Sequence, residues 1–126
     1  MTRLGTQLLA DLYECKPERL GDPEAICNLM LEAARLAGAT VIAHSFHRFE
    51  PHGVSGVIVL AESHFAIHTW PEHNYAALDL FTCGQNMTTD ACFGYLIESF
   101  GSARHSSTRV IRGEVPDSNA QVRRDL

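Results

Sequence analysis

The stretch from Val57 to Phe81 constrains the fold more than any other part of this chain. Val57-Ile58-Val59-Leu60-Ala61 is a continuous apolar run with β-branched residues, the pattern of a strand buried on both faces. Phe65–Trp70 and Tyr75–Phe81 read as two further strands, broken at Pro71-Glu72-His73-Asn74. Between the first two runs stands Glu62-Ser63-His64, and His68 and His73 follow close behind. A hydrophobic strand that ends in Glu-Ser-His departs from ordinary patterning, and such departures concentrate at functional sites.

The flanking segments supply the helices. Gln7 to Glu14 alternates loosely, with Leu8, Ala10 and Leu12 on one side and Leu9 and Tyr13 on the other, and reads as a strand. Residues 16–21 read as loop. Asp22 then precedes Pro23-Glu24, an N-cap followed by proline at the first helical position and an acid in the first turn. Ile26, Leu29, Met30, Ala33, Ala34 and Ala37 recur at helical spacing, and Gly38 is placed to end that helix. Thr40 to Phe49 is β-rich and leads into a turn at Pro51-His52-Gly53. A second helix is expected over 89–100, capped by Thr88 or Thr89, with Cys92, Tyr95, Leu96, Ser99 and Phe100 on one face. Ser107–Arg112 reads as the last strand, and residues 114–126 as a flexible polar tail.

This order predicts an α+β fold: a two-layer α/β sandwich with a mainly antiparallel sheet, both helices on one face, and two similar half-units. The other face needs a cover, and a second copy of the chain is the obvious one. The 126 residues suffice for a single domain with one core.

Ten basic against fifteen acidic residues give a net charge of −5, which disfavours nucleic acid as a partner. No apolar run spans a membrane and the first residues lack a signal-peptide core, so a cytoplasmic protein is expected. Cys15, Cys27, Cys83 and Cys92 form no C-x-x-C pair and read as free thiols. Lys16 is the sole lysine, which leaves almost no source for a Schiff-base or phosphate-loop lysine.

Ser63, His64 and His68 admit rival chemistries. His64 and His68 are four apart, but on a strand that separates them by about 13 Å, so no metal site is expected. A serine hydrolase would want Gly-x-Ser-x-Gly, and Ala61 and Phe65 occupy the glycine positions. Taken singly, each histidine is best read as a satisfied polar group at the edge of a core. The string as a whole is not.

That string, Ala61-Glu62-Ser63-His64 with Ile67-His68-Thr69-Trp70-Pro71-Glu72, followed by Asp79-Leu80-Phe81-Thr82-Cys83-Gly84, resembles the prokaryotic short form of the S-adenosylmethionine decarboxylases. Leu8-Leu9-Ala10 with Cys15, Glu32-Ala33-Ala34, Gly38-Ala39-Thr40, Phe46-His47 and Gly53-Val54-Ser55-Gly56-Val57 agree in order and spacing. The resemblance extends over residues 4–113. Gln85-Asn86-Met87 departs from it, standing where an acidic loop is usual.

The resemblance implies a proenzyme that cuts itself between Glu62 and Ser63, giving a β chain, 1–62, and an α chain, 63–126. Ser63 would attack the Glu62 carbonyl and end as a covalent pyruvoyl group, the cofactor that forms a Schiff base with the substrate amine. A hydroxyl is needed both as nucleophile and as leaving oxygen. His68 would accept the α-proton during processing, a task suited to imidazole. Ser55 would assist processing, and Cys83 would be the proton donor in decarboxylation, a role open to a thiol. Phe49 and Trp70 would line the nucleoside site, with stacking and cation–π attraction for adenine and sulfonium, and Glu72 would hold the ribose hydroxyls. The family's site lies between two protomers, so a homodimer is implied and Phe49 is expected to act across its interface. S-adenosylmethionine is the implied substrate and spermidine synthesis the implied use. A pyruvoyl decarboxylase for another amino acid such as arginine, or an uncut nucleoside-binding homologue, stands as the alternative. His47, His64, His73 and Cys92 receive no role.

Overall fold

A computed structural model describes residues 1–61, 63–83 and 87–117. Six strands form one sheet: β1 (Thr2–Tyr13), β2 (Val41–Arg48), β3 (Val54–Leu60), β4 (Ser63–Trp70), β5 (Tyr75–Thr82) and β6 (Arg104–Val115). Their spatial order is β2-β3-β4-β5-β1-β6, and every neighbouring pair is antiparallel. Two helices complete the fold, α1 (Pro23–Leu36) and α2 (Thr89–Ser99). Each joins strands that run the same way, β1 to β2 through α1 and β5 to β6 through α2. The result is the two-layer α+β sandwich expected from the sequence.

Alternation along the strands makes the layers. Leu8, Ala10 and Leu12 of β1, Ile58 and Leu60 of β3, Phe65 and Ile67 of β4, and Leu78 and Leu80 of β5 are buried on one face. They form a single core with Ile26, Met30, Ala33 and Ala34 of α1 and Cys92, Leu96 and Phe100 around α2. Asp22 caps α1 by accepting a hydrogen bond from the Glu24 amide, and Gly38 follows with φ 77°. That is the left-handed geometry in which glycine ends a helix without strain. Thr69 is the buried hydroxyl of β4. It accepts from the Val54 amide at 2.9 Å and donates to the Leu20 carbonyl at 2.8 Å, tying β3, β4 and the loop after β1 together.

Three expectations need correction. Val57–Ala61 is not buried on both faces: Val57 and Val59 remain 37% and 42% exposed, because within one chain the helices cover only one side of the sheet. The last strand reaches Val115 rather than Arg112, since it pairs with β1 as far as Thr2 and so takes Glu114 and Val115 out of the expected tail. The rest of that tail, from residue 118, lies outside the described residues. Thr88 occupies the cap position of α2 without making a side-chain capping bond.

Candidate functional site

The face of the sheet without helices carries Ser55, His68 and Trp70, and strand register divides the sequence-derived site residues between the two ends of the sheet. At one end, Ser55 of β3 stands opposite His68 of β4, and Ser55 Oγ lies 2.7 Å from His68 Nδ1. His47 of β2 is opposite Ser55 on the other side. Trp70 follows two residues after His68 on the same face, with ring centroids 6.3 Å apart, and reaches Tyr75 at 5.3 Å. Tyr75 in turn stacks on Tyr13 at 5.3 Å. Phe49 sits just past β2, edge-on to His47 at 4.6 Å and 47% exposed. Glu72 is exposed in the helical turn Pro71–His73 that follows Trp70. Aromatic faces, an exposed carboxylate and a hydroxyl–imidazole pair thus gather at one end of the sheet.

Ser63 is at the opposite end. It opens β4 in register with Thr82, the last residue of β5, and Cys83 follows immediately. Cys83 is exposed, whereas Cys15 and Cys92 are buried. Burial pushes the Cys92 thiol up to about 12, so it remains a protonated packing group. Glu62, the other half of the expected cleavage point, lies outside the described residues.

Ser63 and His68 are not together. Five residues of one strand separate them by about 16 Å, and an odd spacing sends the two side chains to opposite faces. The sequence carried that signal, because the same strand geometry that separates His64 from His68 applies to Ser63 and His68. Asp11, Asp79 and Tyr75 receive no role from the sequence. Tyr75 donates its hydroxyl to Asp11, and burial together with that contact drives the phenol well above its ordinary range. A lone acid inside an apolar strand, such as Asp79 between Leu78 and Leu80, was the available signal.

Among the described residues no group of three metal-ligating side chains converges, and no helix is long and apolar enough to cross a membrane. A groove of about 530 Å³ between α1 and β2, lined in part by Glu24, Cys27 and His44, contains none of the sequence-derived residues.

Fold and residues together define a class: an antiparallel sheet backed by two helices, with a serine beside an exposed thiol at a strand entrance and a serine–histidine pair on its open face. Comparison with known proteins narrows this. The family model for S-adenosylmethionine decarboxylase matches residues 6–113. An S-adenosylmethionine decarboxylase proenzyme of Acidithiobacillus ferrooxidans is 47% identical over 115 residues, covering 91% of this chain and 86% of that protein. The proenzyme of Pseudomonas aeruginosa is 50% identical over 113 residues, covering 90% and 71%. The crystal structure of the Aquifex aeolicus adenosylmethionine decarboxylase superposes with a TM-score of 0.86 at 36% identity, over 96% of this chain and 100% of that one. A Trypanosoma brucei relative shares the fold alone, with a TM-score of 0.60 at 16% identity over 81% of this chain and 44% of that one. The chain belongs to the S-adenosylmethionine decarboxylase family.

Proposed function

We propose that this chain is the self-processing precursor of a pyruvoyl-dependent S-adenosylmethionine decarboxylase, cut between Glu62 and Ser63 and working as a homodimer, whose product is the aminopropyl donor for spermidine synthesis. Family membership supports the reaction. The observation that carries the details is the division between the two ends of the sheet: Ser55 and His68 are bonded at one end, and at the other Ser63 stands opposite Thr82, the residue before Cys83.

The separation of Ser63 from His68 supports a site completed by two chains. His68 is beyond proton-transfer reach of Ser63 in its own protomer, since such transfer needs about 3 Å or one bridging water. The open face offers the means of pairing, with Leu9, Val57, Val59 and Trp70 each between 37% and 42% exposed in the isolated chain. Two such faces laid together bury these side chains. An antiparallel arrangement of the two sheets brings the Ser55–His68 end of one protomer to the Ser63–Cys83 end of its partner.

The residues present suit the implied cofactor: a half-buried serine at a strand entrance, its hydroxyl the nucleophile for the carbonyl before it, with an exposed thiol just past the end of the neighbouring strand. The pyruvoyl group supplies an electron sink for loss of carbon dioxide, so no lysine and no pyridoxal cofactor is needed. The protein's own part is proton traffic and binding. His68, oriented by Ser55, takes the Ser63 α-proton during processing. Cys83 returns a proton after decarboxylation. Phe49 and Trp70 hold adenine and the sulfonium cation, and Glu72 accepts from the ribose hydroxyls.

Carbon dioxide release from carboxyl-labelled S-adenosylmethionine and from arginine tests the assignment. Release from S-adenosylmethionine alone is expected, with Cys83→Ala cleaving normally but turning over poorly. Release from arginine alone would replace the substrate, and full turnover by Cys83→Ala would remove the thiol from the mechanism.

A further inference from the structure

A polar chain crosses the open sheet face at the Ser63 end of the sheet. Arg112 of β6 donates from Nη1 to Gln7 Oε1 of β1 at 2.7 Å. Gln7 donates from Nε2 to both carboxylate oxygens of Asp79 on β5, at 3.0 and 3.1 Å. Asp79 Oδ2 then faces His64 Nε2 of β4 at 3.7 Å. The His64 ring also stacks on Phe81 of β5, with centroids 5.8 Å apart and planes inclined by 16°. Phe81 is itself fixed in place: the Arg112 guanidinium lies 5.8 Å from its ring centre, and it packs over Gly5, where a Cβ would come within 2.8 Å of its Cζ.

His64 is therefore gripped twice by β5, the strand that leads directly to Cys83. In an uncut chain this adds little, because β4 is tethered at both ends. Cleavage before Ser63 changes that. Residue 63 becomes a chain terminus without an ordinary side chain, and His64 becomes the first side chain of the new strand. Chain ends fray unless tied down.

We propose that His64 is a positioning residue, whose contact with Asp79 and stack on Phe81 hold the newly cut end of β4 against β5, so that the group made from Ser63 stays beside Cys83. This rests on the processing described above. The pair is 40% and 32% exposed in the chain, where such contacts add little to stability, so a variant here tests geometry rather than folding.

His64→Ala is expected to cleave like wild type and to keep KM within about twofold while kcat falls at least about tenfold, the scale of a small misplacement of reacting groups. His64→Phe, which keeps the stack, should recover part of kcat. Asp79→Asn, which removes the charge facing His64, should lose part of it. Amide exchange separates positioning from general destabilisation: His64→Ala should accelerate exchange of residues 65–68 in the cut protein but not in an uncut Ser63→Ala background. Equal acceleration in both backgrounds, or wild-type kcat in His64→Ala, overturns the proposal. A wild-type chain that stays whole overturns the processing as well. A cleaved and active wild type with an indifferent His64→Ala overturns the positioning role alone.

Discussion

Complementation between two dead variants tests the two-chain site. Ser63→Ala removes the nucleophile but leaves Ser55 and His68 intact; His68→Ala does the reverse. Each alone should remain a single chain. The structure fixes the expected outcome of mixing them, because about 16 Å of strand separates Ser63 from its own His68. A site made within one chain gains nothing from a partner. A site made between chains gains one complete set per heterodimer, with Ser63 from the His68→Ala chain and His68 from the Ser63→Ala chain. Co-expression in equal amounts puts about half of all dimers in the mixed form, so about one quarter of all chains should be cut. Differently tagged chains on a denaturing gel give the readout, and only the His68→Ala chain should yield fragments. No cleavage in the mixture, or cleavage of His68→Ala by itself, would refute the reasoning.

Two further outcomes concern stability and are best measured by denaturant unfolding of the uncut Ser63→Ala chain at one fixed protein concentration, because the midpoint of a dimer depends on it. Thr69→Val keeps the shape but leaves the Val54 amide and the Leu20 carbonyl unpaired, and should cost about 1–3 kcal/mol; an unchanged midpoint would mean those groups find other partners. Cys92 titrates at about 12 when folded against an ordinary 9.0, so both states hold the proton below pH 9, and above it only the unfolded chain releases one. Stability should fall between these values by up to about 1.4 kcal/mol per pH unit, and Cys92→Ala should reduce that slope; an equal slope in both proteins would contradict the assignment.

Much of this was legible in the sequence, for identifiable reasons. α1 was readable because its cap, its proline and its apolar spacing all agree, from Asp22 to Gly38. β3, β4 and β5 announced themselves through β-branched and aromatic residues at short intervals. The place of β1 between β5 and β6 was not readable, because pairing across a sheet is decided by contacts far apart in sequence. β6 is exposed along most of its length, so it offers little apolar alternation to detect, and its pairing with β1 sets its ends. At the site, the motif from Glu62 to Glu72 names Ser63, His68, Trp70 and Glu72 but carries no sign of which strand end each occupies. Strand geometry pulls Ser63 and His68 apart. The division of that motif between two ends of the sheet is what the structure added, along with the chain from His64 to Arg112.

Whether the 126-residue chain cuts itself before Ser63 is read from the intact mass of the purified protein under denaturing conditions. Two fragments are expected, of 62 and 64 residues, the second blocked at its terminus and lighter than an unmodified chain by the exchange of serine for pyruvoyl. The Ser63→Ala variant should give one chain of full length. A wild-type protein that remains a single 126-residue species under all conditions would contradict self-cleavage.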